Sequence, residues 1–221
     1  MFNDREDAGK QLAQALETYQ GEDVLVLAIP RGGVELGYEV ARALNADFSL
    51  VIVRKLPYLD NPEAGFGAIA EDGSMFIFDQ PASTLPDKKV ERIIHQQRDE
   101  VERRIEVLRK GKPLPEIVGR TVILVDDGIA MGSTMRAAIA LCENQRAGEI
   151  VVASPVSSQR VKEAIKQLVD QTIILQTPIY FRAVAQVYEN WYDVSDNEVL
   201  KIMEKWERKK HLSREIETQE K

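Results

Sequence analysis

The thirteen residues from Val122 to Thr134, V-I-L-V-D-D-G-I-A-M-G-S-T, constrain this chain more than any other stretch. Four apolar residues, three of them β-branched, predict a short strand covered on both faces, because such strands read as unbroken apolar runs and not as an alternation. Asp126 and Asp127 mark the strand's carboxyl end. Gly128, Gly132, Ser133 and Thr134 then make a small-residue turn, and Met135 to Leu141 carries good helix formers with apolar residues at helical spacing. The pattern is strand, acidic pair, loop, helix.

Each part has a chemical use. A loop entering a helix N-terminus offers unpaired backbone N–H groups and the positive end of the helix dipole, which suits a phosphate. Ser133 and Thr134 add hydroxyls, and either can serve instead as the helix N-cap. Two adjacent carboxylates can accept hydrogen bonds from a vicinal diol and help to hold a hydrated Mg²⁺. A ribose 5-phosphate satisfies both halves.

The alternation of strands and helices along the chain predicts an α/β fold, a mostly parallel twisted sheet flanked by helices, with right-handed crossovers. Asp4 caps a first helix in which Leu12, Ala15, Leu16 and Tyr19 share a face. Val24 to Ile29 reads as a buried strand. Pro30-Arg31-Gly32-Gly33 turns into a helix with Leu36, Val40, Ala43 and Leu44 on its apolar side. Phe48 to Val53 is the next strand, ending at Arg54 and Lys55. Leu56 to Glu63, with two prolines, reads as a loop, and Phe66–Ala70 with Met75–Phe78 as a hairpin around Asp72-Gly73. A long charged helix runs from Asp87 to Arg109, its narrow apolar stripe made of Val90, Ile94, Val101, Ile105 and Leu108. Strands at 150–153 and 172–175 flank a helix over 158–169. The charged tail, about 207–221, is expected to fray beyond Trp206.

At 221 residues the chain suits one domain over 1–221, with its core at about 24–193. A formal net charge of −7 argues against nucleic acid and membrane surfaces as partners. The single cysteine, Cys142, excludes an internal disulfide framework and reads as a buried structural thiol. The polar N-terminus and the lack of a membrane-length apolar run lead to the expectation of a soluble, cytoplasmic protein. His95 and His211 show no metal-ligand spacing.

The Val122–Thr134 string resembles the PRPP-binding signature of the type I phosphoribosyltransferase family, in which four hydrophobic residues precede two acidic ones and a loop ending in Thr-Gly-x-Thr. Asp126, Asp127, Gly132 and Thr134 match position by position. Met131 stands where the family usually has threonine, which removes a hydroxyl donor and leaves the backbone N–H. The resemblance implies a small hood beside the core sheet, a soluble enzyme of nucleotide salvage and a possible homodimer. It further implies Mg²⁺-dependent transfer of the 5-phosphoribosyl group from PRPP to a nitrogen nucleophile, a nucleobase above all, with release of pyrophosphate.

By the same resemblance, Asp126 and Asp127 are the catalytic pair and hold the metal through water, while Ala130, Met131, Gly132, Ser133 and Thr134 take the 5-phosphate. Arg31, Gly32 and Gly33 form the pyrophosphate loop, where the family has an unusual, sometimes cis, non-proline peptide. Arg54 and Lys55 meet the same pyrophosphate. The segment Leu56 to Gly67, with Asp60 and Glu63, takes the place of a mobile catalytic loop, and Tyr180, Phe181, Tyr188 and Trp191 in the hood offer faces for a base. Some relatives carry a proton-transferring aspartate where this chain has Ala130, and alanine cannot do that work. Two other readings stay open: a regulatory protein that keeps the pocket as a PRPP or nucleotide sensor, and an enzyme with an amine acceptor or a hydrolytic reaction.

Overall fold

The computed structural model describes residues 1–58, 61–78 and 85–219. Five strands form a parallel sheet: β1 (Val24–Ala28), β2 (Asp47–Leu50), β6 (Thr121–Val125), β7 (Glu149–Val156) and β8 (Gln171–Gln176), in the order β2-β1-β6-β7-β8. Alternate residues of β1 enter opposite cores, as a period of two requires. Val24, Val26 and Ala28 pack beneath α1 (Arg5–Ala15), α2 (Gly33–Leu44) and α6 (Asp196–Gln219). Leu25 and Leu27 face Met135, Ala138, Leu141 and Cys142 of α4 (Ser133–Asn144) and Ile165 of α5 (Gln159–Lys166). Cys142 is fully buried, and burial pushes its thiol up to about 12.

Three expectations of where elements run change most against the structure. The strand read from Phe48 to Val53 stops at Leu50, and Val53 begins a second, antiparallel sheet of β3 (Val53–Tyr58), β4 (Asn61–Ala70) and β5 (Met75–Ile77). The break is held by side chains: Arg109 donates to the Leu50 carbonyl at 3.0 Å, and Glu71 accepts from the Ile52 N–H at 2.8 Å. The two bind each other, burying a carboxylate and a guanidinium together. The segment read as a loop after Leu56 contributes instead to the β3–β4 hairpin. Pro57 is tolerated there because it sits at an irregularity of register on an edge strand. The hairpin around Asp72-Gly73 forms as expected, with Gly73 at φ +88°.

The third change is at the C-terminus, where α6 continues past Trp206 to Gln219. The residues beyond Trp206 are largely lysine, glutamate, arginine and leucine, which lose little rotamer freedom in a helix. Trp206 itself packs edge-on against Phe48, with ring centroids 5.4 Å apart. On α1, Asp4 caps as expected, its carboxylate accepting from Asp7 N–H at 2.8 Å. Ala15, however, is exposed, and Ala8 and Ala13 take the buried face beside Leu12.

The long helix, α3 (Asp87–Arg109), has the bounds expected from its sequence. Its first half seats Ile93, absent from the expected stripe, against Leu56, Phe66 and Ile69 of the second sheet, while Val101 and Leu108 enter the main core. It therefore ties the two sheets together. Among the described residues no helix is long and apolar enough to cross a membrane.

Replacing Arg109 with methionine would strand the Glu71 carboxylate in the interior. An unpaired buried charge costs about 3–5 kcal/mol, so Arg109→Met is expected to lose that much in urea unfolding; a loss under about 1 kcal/mol would show that the pair does not hold the two sheets together.

Candidate active site

The chain leaves β1 for β2 on one side and returns to β6 on the other, so the order of strands reverses about β1. In open α/β sheets ligands bind at such a point, outside the carboxyl ends of the strands. Two loops meet here. Ile29 to Gly33 follows β1, with a cis peptide between Pro30 and Arg31. Asp126 to Gly132 follows β6. They are stitched by a bond from Ile29 N–H to the Val125 carbonyl at 2.9 Å.

Glycine is required where the loops touch. A Cβ on Gly32 would stand 1.8 Å from Asp127 Oδ2, and one on Gly33 would stand 2.7 Å from the Val125 carbonyl oxygen. The first loop therefore lies directly on the acidic pair. Asp126 Oδ1 accepts the Asp127 N–H at 2.9 Å. Burial, then the neighbouring charge of Asp127, pushes the Asp126 carboxyl well above the usual carboxylate range. Burial raises Asp127 as well, and the Arg5 guanidinium opposes it.

Arg5 does not stand out in the sequence. Its Nε donates to Asp127 Oδ2 at 2.9 Å across 122 residues of chain. The local signal is slight: a cation in the first turn of a helix opposes the helix dipole and must find its partner elsewhere. Tyr188 supplies a second tether, its hydroxyl donating to the Asp127 carbonyl at 2.7 Å.

The loop after the acidic pair is fastened by Ile129, buried and bonded through its N–H to the Val156 carbonyl at 2.8 Å. Ala130 and Met131 stand exposed beyond it. Gly132, at φ +78°, occupies the N-cap of α4. The structure thus corrects the assignment of that role to Ser133 or Thr134: Ser133 is buried as the first helical residue, and no side chain caps the helix. The first-turn amides of α4 are left without a side-chain acceptor, the arrangement that receives an anion.

The remaining candidates are dispersed. Arg31 is within 3.5 Å of Asp196, at the start of α6. Arg54 and Lys55 lie within β3 and not at the end of β2. Arg54 is half-buried, donates to Gln97 Oε1 at 3.2 Å, and has its guanidinium pKa lowered by burial and by the charge of Arg104. Of the hood aromatics, Tyr180 is 82% exposed, Phe181 is half-buried against the core and Trp191 is partly open. Tyr188 is buried against Phe2. Asp60 and the side chains of Glu63 and His211 lie outside the described residues; His95 is exposed beside Asp99.

Among the described residues, no three or more histidine, cysteine, aspartate or glutamate side chains gather as a metal cage. Two hard carboxylates at the mouth of an anion site fit Mg²⁺, which keeps most of its waters and is bound through one or two carboxylates with substrate oxygens.

Residues 4–189 match the phosphoribosyl transferase domain. Two proteins of Mycobacterium tuberculosis, "Putative phosphoribosyl transferase MT0597" of strain CDC 1551 and "Putative phosphoribosyl transferase Rv0571c" of strain H37Rv, are each 37% identical over 207 residues. These cover 93% of this chain but 47% of the relatives, so the chain spans about half their length. The crystal structure of TT1426 from Thermus thermophilus superposes with a TM-score of 0.78 at 36% identity, covering 93% of this chain and 98% of that one.

Two substitutions test the described contacts. Gly32→Ala pushes the Asp127 carboxylate away from the loop and is expected to cost about 1–3 kcal/mol, as overpacking does, with the Arg5–Asp127 bond broken in a crystal structure. Tyr188→Phe removes one hydrogen bond and is expected to cost about 1 kcal/mol by urea unfolding. A Gly32→Ala protein with unaltered stability and geometry would refute the close approach.

Proposed function

The chain belongs to the phosphoribosyl transferase domain family, and from that membership we propose that it transfers the 5-phosphoribosyl group of PRPP, with Mg²⁺, to a nitrogen of a nucleobase and releases pyrophosphate. The observation that carries the reading is the contact of Gly32 with the Asp127 carboxylate. It puts a loop suited to a leaving diphosphate against a pair suited to a ribose diol, one helix start away from an uncapped phosphate site. PRPP has these three parts in that order.

On this reading the amides at the start of α4 and the Thr134 hydroxyl hold the 5-phosphate. Asp126 and Asp127 accept from the ribose hydroxyls and stabilise positive charge as the anomeric carbon becomes oxocarbenium-like. Arg31, with the Gly32 and Gly33 amides, receives the pyrophosphate, and Arg31 must exchange Asp196 for it. Mg²⁺, held through water by Asp126 and Asp127, would neutralise charge on the diphosphate. Fixing both ends of one substrate supplies proximity, worth several kcal/mol in well-oriented reactions. The exposed ring of Tyr180, and the open part of Trp191 beyond its contact with Arg5, offer stacking surface for the acceptor.

The test is pyrophosphate release from Mg²⁺-PRPP with hypoxanthine, guanine, xanthine, adenine, uracil and orotate in turn, beside a no-base control. Base-dependent release is expected, and Asp127→Asn should reduce it by about 100-fold or more while the protein stays folded by circular dichroism. Full activity in that variant would remove the mechanism. PRPP binding without release on any base would favour the sensor, and release without a base would favour hydrolysis.

A further inference from the structure

The acidic pair is gripped from outside its own motif. Phe2 N–H donates to the Val187 carbonyl at 2.7 Å, Glu189 N–H to the Phe2 carbonyl at 2.9 Å, and Asn190 N–H to the Asn3 carbonyl at 2.9 Å. The first residues of the chain are thereby bound along the strap from Val184 to Tyr192. From that junction two groups reach Asp127: the Tyr188 hydroxyl to its backbone and the Arg5 guanidinium to its side chain. Arg5 is only 2% exposed. Its Nη1 donates to the Tyr192 carbonyl at 2.9 Å, and its guanidinium carbon lies 4.0 Å from the centroid of the Trp191 ring.

We propose that Arg5 is a positioning residue: clamped by the Trp191 ring and the Tyr192 carbonyl, it holds the Asp127 carboxylate against Gly32, so that the N-terminal segment and the strap together set the geometry of the acidic pair. A cation that only neutralised Asp127 would need no more than proximity. This guanidinium has its orientation fixed three ways, by a carboxylate, a carbonyl and an aromatic face, and a planar fork transmits that orientation to its partner where an ammonium does not. Gly32 closes the opposite side. The carboxylate is left one place to be, with Oδ2 committed to Arg5 and the Gly32 backbone lying against it. The geometric claim stands by itself; its kinetic consequence rests on the transferase reading.

The variants Arg5→Gln and Arg5→Lys separate charge from orientation. Misplacing a reacting group by an ångström can cost about 100-fold, so Arg5→Gln is expected to lower kcat by about that factor with KM for PRPP within about threefold. Arg5→Lys, which keeps the charge and loses the fork, should lose about tenfold. Crystal structures should show the Asp127 carboxylate against Gly32 in the wild type and displaced from it in both variants. The proposal is overturned by wild-type kcat in Arg5→Lys, by a loss confined to KM, or by an unmoved carboxylate. Should Arg5→Gln fail to fold, Arg5→Lys decides. Should wild type release no pyrophosphate, the transferase reading fails, and the position of Asp127 in the crystals decides the role of Arg5.

Discussion

The parallel pairing of β1 with β6 is the constraint on which the rest of the structure depends. Val24 lies beside Thr121 and Ala28 beside Val125, so both strands end at the same level, and the loops that follow leave the sheet side by side. A shift of one residue would exchange the two cores, since Val24, Val26 and Ala28 face one and Leu25 and Leu27 the other. Burial on both faces therefore fixes the register. The register in turn brings the Gly32 backbone beside Asp127, whose carboxylate lies closer to it than a side chain at residue 32 would permit. Chemistry at this site is decided by hydrophobic packing several residues away.

That contact has an electrostatic cost. Burial raises the proton affinity of both carboxylates, and the charge of Asp127 raises that of Asp126 further. Arg5 offsets part of it through a charge-assisted bond. What remains is a site in which further positive charge is favourable and whose dipoles need not reorganise to meet it. This is the condition under which electrostatic stabilisation of a cationic transition state is largest. The same logic favours a rigid cation here, and a buried guanidinium against tryptophan is rigid where a surface lysine is not.

The parallel sheet and the acidic loop are legible in the sequence because their signals are local. A strand covered on both faces is an apolar run, and the shortness and β-branched residues of Val122–Val125, with glycines soon after, favour a strand over a buried helix; the helix from Asp87 to Arg109 carries its own period. The parts that differ depend on partners far along the chain. No window around Leu50 reveals that Arg109 and Glu71 will take its backbone groups and break the strand. Pro57 argues for a loop because proline removes a ladder donor, yet an edge strand with irregular register does without one. Arg5 is invisible for the same reason: its role lies in three contacts to residues more than 120 positions away. Tyr188, expected as a stacking face, is buried, its hydroxyl on the Asp127 carbonyl.

The proton is where the transferase reading meets its sharpest chemical demand. A nucleobase nitrogen that attacks an anomeric carbon must lose a proton before or after the bond forms, and the loop between Asp127 and Gly132 offers only Ile129, Ala130 and the exposed Met131 as side chains beyond Gly128. None can accept it. Asp126 and Asp127 have proton affinity enough, but a proton on either would remove the negative charge that the ribosyl cation requires at that moment. One pair cannot stabilise a cation and bind a proton in the same step. On this reading the two duties can fall on one pair only in succession: a proton lost while the ribosyl cation exists leaves toward the open side of the site, to the hood, the departing diphosphate or the base itself, and a proton lost after the bond has formed can go to Asp127.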